Sequence, residues 1–146
     1  MSNLKGTLSL AAGLLALYGP GVNALGCYNG GLRFGDLIPS SNDESWITDD
    51  ITIFCREAAF PEVGGITTSQ NRCYGYWTGK GDNRLDVQLH WVGNLFGATS
   101  ISSSDCIDWF KRERGGCETG SEQEYAQPGN DQGKWWIRID PNEGTC

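Results

Sequence analysis

Six cysteines, at positions 27, 55, 73, 106, 117 and 146, all lie beyond residue 24 of this 146-residue chain. Nothing else in the sequence constrains the fold as strongly. An even number of cysteines in a chain bound for an oxidising compartment reads as a set of disulfides, here three. Zinc is the competing use of cysteine, but there is no C-x-x-C pair and no cysteine near His90. No metal and no cofactor are expected. Which of Cys27, Cys55, Cys73, Cys106, Cys117 and Cys146 pair stays open at this stage, with one exception. If residues 104 to 114 are helical, Cys106 and Cys117 lie too far apart along the axis for the roughly 4.4 to 6.8 Å Cα separation of a disulfide.

The oxidising compartment is itself inferred from the N-terminus. Lys5 precedes an uncharged, largely apolar run from Gly6 to Tyr18, and Gly19-Pro20-Gly21 then breaks any helix. Val22-Asn23-Ala24 closes with small or aliphatic residues at the positions a signal peptidase reads. Residues 1–24 therefore read as a secretory signal peptide, and 25–146 as one α/β domain released outside the cell. A membrane anchor would need roughly 20 apolar residues, more than this run supplies. No later stretch is apolar enough to span a bilayer.

Charge narrows the partners. Eighteen acidic residues against eleven basic ones give a net charge of -7, the wrong sign for nucleic acid or an anionic membrane. Twenty-one glycines predict many turns and few long helices.

Periodicity gives two helices and about four strands. Trp46, Ile47, Ile51, Phe54, Cys55 and Ala58 recur at helical spacing, so 45 to 59 reads as an amphipathic helix with Trp46 on its buried side. Arg72 to Trp77 and Leu85 to Val92 read as the arms of a hairpin. In the second arm Leu85, Val87, Leu89 and Trp91 alternate with Asp86, Gln88 and His90, a half-buried strand with one wet face. Ser102-Ser-Ser-Asp105 caps a second helix, and Gly115-Gly116 is its stop signal. Segments 117 to 125 and 134 to 140 read as two more strands, with Trp135, Ile137 and Ile139 opposite Trp136, Arg138 and Asp140. The fold class is α+β, helices packed on a mainly antiparallel sheet and tied by disulfides.

Catalytic chemistry is poorly provided for. His90 is the only histidine, whereas small secreted ribonucleases use paired histidines or a histidine with Glu and Arg. No G-x-S-x-G elbow is present, and Ser100 to Ser104 suits helix capping better than a triad. Asp49 with Asp50, or Glu122 with Glu124, could serve as glycosidase carboxylates, but adjacent acids more often form a solvated helix start or a wet strand face. Gly79-Lys80-Gly81 lacks the rest of a phosphate loop and reads as a hairpin tip. No catalytic residue is assigned, and the chain is read as a binding protein rather than an enzyme.

The positive signal is aromatic: six Trp and five Tyr. Trp46, Trp91 and Trp135 are assigned to the core. Tyr74, Tyr76 and Trp136 fall on faces read as wet, and Tyr28 falls in a loop. Aromatic faces stack on sugar rings while Asp and Asn bind hydroxyls, so Tyr74, Tyr76, Trp136, Asp140 and Asn142 form the candidate glycan site. The competing cover for Trp136 is a helix or the second subunit of a homodimer.

The block Gly115-Gly-Cys-Glu-Thr-Gly-Ser-Glu122 and the ending Trp135-Trp-Ile-Arg-Ile-Asp-Pro-Asn-Glu-Gly-Thr-Cys146 resemble the secreted fungal Y-three-like lectins. Members of that family close on an aromatic strand followed by D-P-N-x-G-x-C, and the order of cysteines and helices is similar over nearly the whole of 25–146. The resemblance implies a disulfide-held α/β sandwich that binds glycans or glycoproteins without catalysis. It does not assign the sugar-contacting residues, which rest on aromatic exposure alone. A killer-toxin-like or effector protein would share the leader, the disulfides and the fold, and a small secreted hydrolase would share the leader and the size.

Overall fold

A computed structural model describes residues 26–37, 45–58, 69–78, 81–94, 100–126 and 131–146. The expected leader, the loop from Pro39 to Glu44, the Gly64-Gly65 loop and residues 79 and 80 of the hairpin tip lie outside the described residues. Five strands are present: β1 (Gly26–Cys27), β2 (Ser69–Trp77), β3 (Asp82–Gly93), β4 (Ser121–Ala126) and β5 (Gly133–Glu143). They form one sheet in the order β1-β4-β5-β3-β2, with every neighbouring pair antiparallel. Two helices, α1 (Ser45–Ala58) and α2 (Ser103–Gly116), pack on one face of it, with a 3-10 turn at Phe34–Leu37. This is the disulfide-tied α+β fold expected from the sequence.

The apolar periods explain the layering. Ile47, Ile51, Phe54, Cys55 and Ala58 form the buried stripe of α1, and they meet Leu85, Val87 and Leu89 of β3 and Trp135, Ile137 and Ile139 of β5 in one core. Phe54 packs edge-on against Phe110 of α2, with ring centroids 5.6 Å apart. The Cys55–Cys106 disulfide joins the two helices within that core. Cys27–Cys117 ties the first strand to the end of α2, and Cys73–Cys146 ties β2 to the C-terminus. Cys106 thus bonds a partner on the other helix, in keeping with the axial separation that set Cys117 aside.

The helix ends differ in how well sequence signals anticipate them. Ser102 caps α2 as expected, its hydroxyl accepting from the Asp105 amide at 3.1 Å. Gly115 and Gly116 do not lie beyond the helix as a stop signal. They form its last turn, and the chain leaves at Cys117 in an extended conformation, with the Cys117 amide still donating to the Glu113 carbonyl. That extended residue carries the disulfide to Cys27.

The strands at the C-terminal end also shift. Residues 117 to 120 form an irregular bend rather than the start of β4. β5 runs through Pro141, which faces Leu85 of β3. Pairing with β4 ends at Ser121–Ile139, so at Pro141 the strand is locally an edge, where a missing N–H is tolerated.

Candidate functional site

The antiparallel ladder decides which face each aromatic occupies, because directly opposed residues share a face. Trp136 lies opposite His90, Asp140 opposite Asp86, and Asn142 opposite Arg84. All of these lie on the face away from the helices, as the alternation predicts for Trp136, Asp140, His90 and Asp86. Tyr74 and Tyr76 do not. They lie opposite Leu85 and Asn83, on the helix-covered face, where Tyr76 is only 8% exposed and Tyr74 packs against the core. The alternation in β2 is ambiguous, since either the two tyrosines or Cys73 and Trp77 could point inward. The register turns the tyrosines in and Trp77 out.

On the open face the polar side chains are largely committed to one another. The Arg138 guanidinium pairs with Asp140, which is itself buried, and also lies 5.7 Å over the Tyr28 ring. Tyr28 donates to Glu122 at 3.2 Å, and burial, the strongest influence on it, pushes its hydroxyl up to about 12. Asn142 donates to Asp86 at 2.9 Å, and Arg84 approaches the same Asp86 oxygen at 3.0 Å. Glu124 pairs with Lys134 at 3.1 Å. One side of the Trp136 ring is taken by His90, at 4.4 Å between centroids. Trp136, Asp140 and Asn142 thus share a face, but the two polar residues spend much of their hydrogen-bonding capacity inside it. Glu122 and Glu124, the second carboxylate pair considered from sequence, are engaged there in the same way.

A second arrangement lies where α1 meets the edge strand β2. Trp46, Asp49 and Asp50 from the first turns of α1, with Gly75, Tyr76 and Trp77 from the end of β2, line a concavity of about 550 Å³, within the usual range for small-molecule sites. Trp46 is 53% exposed, which corrects its assignment to the core, and Trp77 is 74% exposed. The core stripe of α1 starts at Ile47. Trp46 is rotated about 100° from it and shares with Asp50, one turn on, the flank that faces β2. The Tyr76 hydroxyl donates to Asp50 in a short bond that joins the helix to the strand.

Burial raises the Asp50 carboxyl above its ordinary range; the neighbouring Asp49 adds to this and the Tyr76 hydrogen bond opposes it. Tyr76 is raised far more, by burial first and then by the Asp50 carboxylate, with Arg114 acting against both. Arg114 of α2 does not line the groove, and its Nη1 donates to Thr48 of α1 at 3.1 Å. Among the described lining residues the charges are Asp49 and Asp50 alone. Sequence reasoning missed Trp46 and Trp77 as surface aromatics. The available signals were the one-residue offset of Trp46 from the core stripe and the strict alternation that sends Trp77 out once Tyr76 is in.

Among the described residues no group of three or more His, Cys, Asp or Glu could hold a metal ion, and no helix is long and apolar enough to cross a membrane. No protein-family model matches this chain, and neither does any curated protein.

Proposed function

We propose that the chain is a secreted, non-catalytic carbohydrate-binding protein of lectin type, and that it holds its ligand in the groove between α1 and β2. The observation that carries this reading is the pairing of two exposed tryptophans with two carboxylates in one concavity. An apolar ring face stacks on the C–H face of a pyranose, and a carboxylate accepts from its hydroxyls. The leader read in residues 1–24, the three disulfides and the resemblance of the C-terminal block to fungal lectins support the same reading.

The test is a glycan array with oxidised protein spanning 25–146, followed by calorimetric titration of the sugars it captures. Trp77→Ala should weaken binding by roughly 1–3 kcal/mol, the scale of one well-packed aromatic contact. Its melting temperature should hold, because little of the ring is buried. Trp136→Ala runs beside it. Loss of affinity there, with Trp77→Ala unchanged, moves the site to the open sheet face, whereas dissociation of a dimer makes Trp136 a homodimer contact. An array without captured glycans removes the lectin reading in favour of an effector or toxin-like protein.

The placing of Asp49 and Asp50 in one concavity, with Asp50 raised by burial, favours one second reading, glycoside hydrolysis with these two carboxylates as acid and base. Release of reducing ends from a captured oligosaccharide, abolished by Asp49→Asn, would establish that reading in place of simple binding.

A further inference from the structure

We infer that the Trp46–Trp77 groove selects a cationic amino sugar, a glucosamine unit with a free protonated amine, over its N-acetylated counterpart. This rests on the carbohydrate reading above and names the class of sugar. A neutral pyranose would use the two ring faces but leave Asp49 and Asp50 as like charges side by side. Asp50 is already partly withdrawn from water, and its hydrogen bond from Tyr76 does not cancel the cost of that withdrawal. Asp49 is exposed and makes no ion pair with a described residue. No described residue that lines the groove supplies a positive charge. The Arg114 guanidinium, which donates to Thr48 and holds the Tyr76 hydroxyl down, is not among the residues that line it.

An ammonium group completes the site. It donates to carboxylates, and it is drawn to the electron-rich face of an indole, the strongest of the aromatic cation acceptors. Trp46 and Trp77 line the same concavity as the two acids and are both exposed. The same nitrogen carrying an acetyl group has neither the charge nor the extra donors. The net charge of the whole chain, -7, steers a polycation toward the protein but cannot by itself hold one at this groove.

The probes are a glucosamine hexasaccharide and an N-acetylglucosamine hexasaccharide, titrated in parallel into the oxidised protein near neutral pH. The glucosamine oligomer should bind at least tenfold more tightly at low ionic strength, and added salt should narrow the gap. Asp49→Asn should bring its affinity down toward that of the acetylated oligomer without changing the fold, since Asp49 is exposed. Trp77→Ala should weaken the glucosamine oligomer as well. Equal affinity for the two oligomers overturns the amino-sugar inference while leaving carbohydrate binding in place. Glucosamine binding that survives both substitutions overturns the assignment to this groove and assigns the attraction to the overall acidity. If neither oligomer binds but a glycan array captures other sugars, the inference fails and the lectin reading stands; if the array is empty too, both fail.

Discussion

Asp50 is the residue where packing and ligand chemistry compete. Its carboxylate is half-buried, flanked by Asp49 and bonded by Tyr76. Because its folded-state pKa lies above the unfolded value, the folded protein binds more protons than the unfolded chain between those two values. Stability from this group is therefore present at acid pH and falls as pH rises through that interval. Asp50→Asn keeps an acceptor for the Tyr76 hydroxyl and removes the charge. The variant should melt above the wild type at neutral pH, and acidification through the Asp50 titration should shrink the difference. Thermal melts from neutral to acid pH check this, and a variant less stable at neutral pH would show that the Tyr76–Asp50 bond outweighs the burial of the charge. If the groove binds as proposed, the same substitution should also weaken the amino sugar, so the group limits stability where it serves binding.

At the scale of elements, two glycines near the join of α2, β4 and β5 make opposite demands. Gly120 has φ near +95°, and a Cβ there would come 2.7 Å from the Ile139 carbonyl oxygen and 3.0 Å from the Pro141 ring. Gly120→Ala should cost about 1–3 kcal/mol, combining left-handed strain with a contact that backbone atoms cannot relieve. Gly115 lies in the last turn of α2, and a Cβ there would meet nothing within 4 Å. Gly115→Ala should stabilise by roughly 0.5–1 kcal/mol, the ordinary helix preference. Denaturant melts of the two variants, shifted in opposite directions, test whether the bend at 120 and the helical end at 115 are as described. In the sequence Gly115 reads as a helix stop and Gly120 falls inside a segment read as strand.

Across the whole molecule the three disulfides close separations of 90, 51 and 73 residues, so each bridges distant parts of the chain. Non-reducing peptide mapping should return Cys27–Cys117, Cys55–Cys106 and Cys73–Cys146, with no free thiols on intact mass after alkylation. Any other pairing, or six alkylatable thiols, would contradict this arrangement. Replacing both members of one bridge with alanine should cost on the order of 2–5 kcal/mol. The Cys55–Cys106 pair should fall toward the upper end, because both cysteines are fully buried between the helices and alanines would leave a gap there.

The two helices, the sheet-forming alternation of β3 and β5, the cap at Ser102 and the α+β class were legible in the sequence because each depends on periodicity or on a side chain bonding its own neighbourhood. Trp91 and Trp135 were correctly placed in the core for that reason, since strong alternation on both sides left them one face to occupy. The orientation of β2 was not legible. Its residues alternate between two tyrosines and a cysteine–tryptophan set of similar character, and only pairing with β3, in a register that places Tyr74 opposite Leu85, decides which set is buried. Trp46 was misplaced by one helical step, since a residue at the border of an apolar stripe is buried or exposed according to what packs beside it. The groove follows from both decisions. Local physics carried by the sequence determined the elements and the candidate chemistry, while long-range pairing, which costs chain entropy and depends on every strand at once, decided which aromatic and acidic side chains share a site.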